Sequence, residues 1–266
     1  TSEENNSVYD SLLQKTIYPF YEPVIRPDSS LFSDIYKVAP IEFSGYLQDK
    51  MEFDLMVLNL GLRYDYFNPN TIYPSQLRNP ANQLYFPQLD DNGNVITDTD
   101  GNIVLNEERM STYPKTEPQN QISPRFGISY QLGKAALLRF SYGHFFQMPP
   151  YYAIYENHSY LVSQTDYATK MGNPNIKAQK TVQYEVGLWQ ELNRRLNMEI
   201  AIFYRDIYDL LSAKVITTYN QIHYGLYSNK DYGNARGLEL KFEYLNDPFQ
   251  IGINYTLQYT KGNADS

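Results

Sequence analysis

The chain of 266 residues has no cysteine. Disulfide scaffolds and cysteine-based zinc or iron–sulfur sites are therefore excluded, while an oxidising compartment is permitted. Basic excess is lacking too: 22 Lys and Arg stand against 30 Asp and Glu, a net charge of −8. A nucleic-acid binder needs a positive footprint, so that class is set aside. No run of about 18 apolar residues occurs; the best, Leu55 to Leu62, is broken by Asn59 and Gly61. Helical membrane spans are excluded. Thr1 to Asp10 is polar and acidic, without the basic and apolar regions of a secretory leader. The expectation is a cytoplasmic chain or a mature piece. A mean hydropathy of −0.54 would suit a soluble protein, yet a transmembrane barrel also averages its lipid-facing and lumen-facing residues.

What the chain has is tyrosine: 27 Tyr and 13 Phe against one Trp. Aromatic and β-branched residues favour strands, and a period of two runs through most of the sequence. Leu196, Met198, Ile200, Ile202 and Tyr204 share one parity; Asn197, Glu199, Ala201, Phe203 and Arg205 share the other. The same alternation runs through 56–67, 122–132, 135–147, 181–192, 237–245 and 249–260. It is least clean in 41–52, where Tyr46 and Leu47 compete for the apolar face. Four connections are tight and rich in turn formers: Phe53 to Leu55, Gly133-Lys134, Asn193 to Arg195 and Asn246 to Pro248. The others are long: 68–121, 148–180 and 208–236. About eight antiparallel strands are thus predicted, with short turns at one end and long loops at the other. Outer-membrane barrels are built this way, with periplasmic turns and extracellular loops. A soluble sandwich or barrel also alternates, but strands of about 10–12 residues exceed its usual length and suit a tilted span of a bilayer.

Several stretches resemble the TonB-dependent receptor family of Gram-negative outer membranes. They include Ile122-Ser-Pro-Arg-Phe-Gly-Ile-Ser-Tyr130 followed by Leu138-Arg-Phe-Ser-Tyr-Gly-His-Phe-Phe-Gln-Met-Pro-Pro150. Gly172-Asn-Pro-Asn-Ile-Lys177 with Tyr184-Glu-Val-Gly187, and Tyr46-Leu-Gln-Asp-Lys50 with Gly61-Leu-Arg-Tyr-Asp65, resemble further strands. Asp231-Tyr-Gly-Asn-Ala-Arg-Gly-Leu-Glu239 and Asn254-Tyr-Thr256 with Lys261-Gly-Asn-Ala264 are similar to the Oar-like subgroup of Bacteroidota and myxobacteria. The resemblance covers roughly 37–266. It implies an all-β antiparallel transmembrane β-barrel of 22 strands, filled by an N-terminal plug. Neither plug, TonB box nor terminal aromatic strand is legible here. The expectation is a barrel segment of about eight strands over 37–266, beginning and ending in loops outside the cell, with 1–36 an extracellular loop region.

Catalysis finds no support. An EF-hand loop from Asp98 would need Gly and Glu where Ile103 and Arg109 stand. Two Asn/Asp-Gly turns capping a small hairpin explain Asp91-Asn-Gly-Asn94 and Asp98-Thr-Asp-Gly-Asn102 better. Gly127 to Lys134 has the wrong spacing and context for a P-loop. His144, His158 and His223 lie far apart in sequence, and no nucleophile elbow is present. No enzyme, metal or cofactor is expected.

The loops carry the binding candidates. Tyr151, Tyr152 and Tyr155 lie in one long connection, with Tyr160 and Tyr167; Tyr219, Tyr224 and Tyr227 lie in another, with Tyr232; Tyr18, Phe20 and Tyr21 sit near the start. Rigid amphipathic rings suit ligand capture, although loop packing or a membrane girdle would use them equally. Arg63, Asp65, Arg125, Arg139, Glu185, Glu199, Arg205, Glu239, Lys241 and Glu243 fall on the inner parity and are expected to face a wet lumen. The resemblance implies a receptor that binds substrate at its outer loops and imports it. Its partners would be outer-membrane lipids and, through a plug, the TonB energy-transducing complex. The alternative is a surface barrel, interaction or secretion-associated, that binds a partner such as a lipoprotein lid without importing anything.

Overall fold

The computed structural model describes residues 3–12, 14–23, 34–164 and 169–262. Contacts divide the chain at Lys37/Val38 into two units. In the first, β1 (Glu3–Asp10) and β2 (Lys15–Pro23) pair as an antiparallel hairpin within the segment expected to be loop.

The second unit is one meander. Its strands are β3 (Ile41–Glu52), β4 (Met56–Asn68), β5 (Gln119–Leu132) and β6 (Ala136–Gln147), then helix α1 (Tyr151–Tyr155) and β7 (Lys170–Met171). There follow β8 (Gln179–Asn193), β9 (Leu196–Thr217), β10 (His223–Asn246) and β11 (Phe249–Gly262). Every neighbour in the order β3-β4-β5-β6-β8-β9-β10-β11 is antiparallel, and β7 adds a short parallel pairing to β10. The four tight turns stand where the turn formers predict them. At the β5–β6 turn Gly133 takes a positive φ of 69°, a conformation only glycine adopts without strain.

Register fixes both tilt and face. One row crosses the sheet through Asp49, Leu60, Phe126, Tyr142, Tyr184, Tyr204, Arg236 and Tyr259. The last paired residues before the turns recede steadily from it. Glu52 lies three residues beyond Asp49, Leu132 six beyond Phe126, Asn193 nine beyond Tyr184 and Asn246 ten beyond Arg236. That drift is roughly one residue per strand. At about 3.3 Å rise and about 4.8 Å spacing it equals a strand tilt of about 35–40°, the tilt that closing a barrel requires.

Because directly opposed residues share a face, the alternation of each strand adds up across the sheet. Leu58, Ile128, Phe140, Val186, Ile202, Leu238 and Leu257 form one unbroken apolar row. These side chains are not covered by a second layer: Val186, Ile202 and Leu257 are 47%, 60% and 57% exposed. The competition in β3 resolves by register. Leu47 opposes Leu62 on the apolar face, and Tyr46 opposes Arg63 on the other.

The sheet is open. Among the described residues, strands β3 and β11 each have a single strand neighbour, and nearly every residue of both is exposed. A long apolar edge of this kind is what further strands of a barrel cover.

At the long-loop end β9 and β10 run on past the row that ends in Tyr259, and fill most of the expected 208–236 loop. Register is unchanged from Tyr208–Tyr232 to Leu210–Lys230, and Asp209 between them takes a φ of 56°. The alternation fades there because both faces of the hairpin meet loops and water.

Candidate functional site

The two long connections 68–118 and 148–178 and the β9–β10 extension pack into a small second core at the long-loop end. Tyr160, Val162, Met171, Tyr224 and Leu226 are its buried members, with Leu77, Ala81, Ile216 and Ile222 around them. Much of the backbone of the two connections has no ladder to join, so side chains satisfy it. Three buried tyrosines donate to carbonyls of the first connection: Tyr155 to Pro69 at 2.8 Å, Tyr224 to Leu77 at 2.6 Å, and Tyr160 to Ile72. Burial, with Tyr113 close by, pushes the Tyr160 phenol up to about 12.

Amide side chains do the rest by imitating a peptide, which offers one donor and one acceptor. Gln83 bonds both polar groups of Val162, Asn229 both of Lys177, and Gln119 spans Ile176 and Ala178.

The tyrosines singled out in the sequence therefore separate by role. Tyr155 and Tyr224 are each 1% exposed and hold the loops together. Tyr151 and Tyr152 are 48% and 50% exposed. Tyr151 donates to Glu42 Oε1 at 2.9 Å and meets the Tyr155 ring edge-on, while Tyr152 meets Tyr227 edge-on at 5.6 Å. The bond to Glu42 raises the Tyr151 phenol above its ordinary value. Beneath Glu42 lies a recess of about 340 Å³ reached by Ser44, Arg63, Asp65, Gln119, Gln121 and Phe146. Tyr219 sits apart from these, between Arg78 at 4.3 Å and the edge of Phe86 at 5.1 Å, with Arg109 at 5.7 Å. Tyr167 lies outside the described residues, as do the side chains of Tyr18, Phe20 and Tyr21.

The ten inner-parity charges share the polar face of the sheet by register. Arg63 forks onto Asp65 at 2.7–2.9 Å, Arg139 bridges Glu185 and Glu199, and Lys241 pairs with Glu243 at 2.7 Å. Arg125 and Arg205 instead lie over the rings of Phe145 and Phe203, at 5.0 and 4.7 Å. Glu239 stands opposite Ala201 and Thr256.

One feature escaped the sequence reading: an eight-residue repeat. Gln88 to Val95, Ile96 to Ile103 and the stretch from Val104 each bring two strand-like residues and then an Asp or Asn turn. Their backbones close a triangle, with Gln88 N donating to Val104 O, Val104 N to Ile96 O and Ile96 N to Gln88 O. Asp90 accepts from the amides of Asn92 and Asn94, and Asp98 from those of Asp100 and Asn102. Hydrogen bonds, above all from the backbone of Asn94 and of Asn102, hold both carboxyls below the usual range. The period of eight is the signal in the sequence: the first two copies turn at Gly93 and Gly101, and the third, led by Asn106, has no glycine to mark it. Among the described residues no three His, Asp or Glu side chains come together as metal ligands.

Comparison with known proteins agrees with this architecture. The family of TonB dependent receptor-like β-barrels matches residues 4–266. The FrpB iron transporter from Neisseria meningitidis (F3-3 variant) superposes with a TM-score of 0.53 at 16% identity, over 85% of this chain and 27% of its own. A double mutant of the Serratia marcescens hemophore receptor HasR, in complex with its hemophore HasA and heme, gives 0.57 at 19%, over 83% and 34%. The copper transporter OprC gives 0.51 at 14%, over 83% and 29%. Likeness at this identity is likeness of fold. The chain spans about a third or less of the length of these structures, and no curated protein matches it. Family, tilt, turn asymmetry and open edges agree on a partial barrel wall of the outer membrane: the chain belongs to the TonB-dependent receptor-like β-barrel family.

Proposed function

We propose that this chain supplies part of the wall and outer loops of a receptor that captures a substrate outside the cell and imports it. A plug coupled to TonB would power the import. In this reading the apolar face meets lipid, and the ten charges of the polar face line a wet lumen. The barrel does no covalent chemistry. The single observation that carries the reading is the placement of Tyr151 and Tyr152. Both are about half exposed; Tyr151 is bonded to Glu42 at the recess and meets Tyr155 edge-on, and Tyr152 meets Tyr227 edge-on. Rigid rings lose little entropy on contact. Tyr155, Tyr224 and Tyr219, the last packed between Arg78 and Phe86, are scaffold for that surface.

The test uses the full-length receptor in its outer membrane. Cells should take up cargo only when TonB is present. Tyr151→Ala with Tyr152→Ala should weaken capture about tenfold or more at unchanged barrel abundance. Uptake indifferent to TonB ends the import reading; unchanged capture by the double variant ends the aromatic one.

A second reading draws on the triangular repeat, which projects Leu89, Val95 and Ile103 at 54%, 45% and 45% exposure. An apolar tip of that kind suits a surface partner such as a lipoprotein. A stoichiometric partner that co-purifies, with no TonB-dependent uptake, would favour it.

A further inference from the structure

Most charges of the polar face are matched. Lys50 has Glu52, Arg63 has Asp65, Arg139 has two glutamates and Lys241 has Glu243. Arg125, like Arg205, is different: no carboxylate reaches it among the described residues, and its guanidinium lies 5.0 Å over the Phe145 ring.

Its surroundings are different as well. On the same face the residues directly opposite Arg125 are Gly61 and Gly143, and two positions along β5 lies Gly127. Strand interiors avoid glycine, which weakens them and marks places where something approaches closely. None of the three has a positive φ, so the backbone does not demand glycine. A Cβ at Gly61 or Gly127 would meet no atom nearer than 3.5 Å, so packing does not demand glycine at those two; at Gly143 it would press on the Phe145 ring at 3.1 Å. What the absent side chains leave is a recess of about 290 Å³ on this face. Gln48, Asn59, Ser141 and Gln183 reach it, with Arg125 its one charge and no carboxylate on its lining.

We propose that this recess is a binding site for an oxyanion, a carboxylate or phosphate group seated on Arg125. Guanidinium forks such groups through two parallel hydrogen bonds. The Phe145 ring holds the guanidinium by its face, and the amides and hydroxyl supply neutral partners. The inference rests on the polar face being the lumen wall, and its test does not involve import. The oxyanion can be that of a free solute or an acidic side chain of protein enclosed by the barrel; the chemistry is shared.

Arg205 provides the internal control. It stands on the same row as Arg125, three strands and about 14 Å away. There the guanidinium lies 4.7 Å over the buried Phe203 ring, and Arg205 does not line the Arg125 recess. Removing either arginine changes net charge equally, and only one removal should empty the site.

The experiment titrates citrate into the detergent-solubilised full-length receptor by calorimetry at about 20 mM salt, where screening is weak. Native protein, Arg125→Gln, Gly127→Leu and Arg205→Gln are compared, and each is unfolded by heat without citrate. If a solute reaches the site, native protein binds citrate saturably. Arg125→Gln and Gly127→Leu then weaken binding about tenfold or more, and Arg205→Gln stays within about threefold. If an enclosed acidic side chain holds the site, native protein binds no citrate. Arg125→Gln then lowers the unfolding midpoint at low salt, and the difference disappears near 1 M salt, where a charge pair is screened and a packing loss is not. Equal citrate binding in native protein and Arg125→Gln overturns the proposal, as does the absence of both effects. TonB-dependent uptake, measured separately, keeps the failure of the import reading distinct from the failure of this one.

Discussion

The strand wall and the loop assembly above it solve the same problem in opposite ways. In the wall most backbone groups of an inner strand join a ladder, and side chains chiefly choose a face. In the loops ladders are scarce, so side chains take over the backbone's hydrogen bonding. Tyr155, Tyr160 and Tyr224 cap carbonyls, and Gln83, Gln119 and Asn229 stand in for strand neighbours. A wall residue is therefore replaceable within its polarity class. A loop residue of this kind is tied to its chemical group.

That contrast can be broken most forcefully in the wall. Val186→Arg puts a charge on the apolar face and should cost about 2–4 kcal/mol of stability in a bilayer. Thr256→Arg, on the opposite parity, should stay within about 0.5 kcal/mol. Unfolding in urea from lipid vesicles measures both, and equal losses would erase the two-faced wall.

The loop side is sharpened by Tyr155→Phe and Tyr224→Phe. Each keeps the ring and strips the donor from a buried carbonyl, at a cost of about 1–3 kcal/mol. The cost should be confined to the loops, seen as faster hydrogen exchange over 68–118 with strands β4 to β6 unchanged.

The smallest effect lies in the triangular repeat. Asp90 and Asp98 have folded pKa values below their unfolded ones. Their contribution is therefore fully present above the unfolded value of about 3.9 and fades as pH falls through the folded values. Amide protection at Asn92, Asn94 and Asn102 should fall at acid pH, and Asp90→Asn should remove that dependence for the first turn alone.

The same contrast explains what could be read from the chain. Predicted strands 41–52, 56–67, 122–132 and 196–207 start or end within a few residues of β3, β4, β5 and β9. A period of two bounded by turn formers is a local signal. The outer halves of β9 and β10 were missed because outside a bilayer nothing forces Leu210 and Leu211 to alternate. The tyrosines were found as a group but not sorted. Whether a ring is a pin like Tyr155 or a surface like Tyr152 depends on a carbonyl many residues away.

Sequence alone determined the two faces, the eight long strands of the meander and the end at which the loops gather. All of these follow from which neighbouring side chains can share an environment. Only the tertiary structure decided which tyrosines are buried, how three octads close into a triangle, and that Arg125 stands among glycines. Each of those depends on register between strands or on contacts across loops, where distance along the chain says nothing about distance in space.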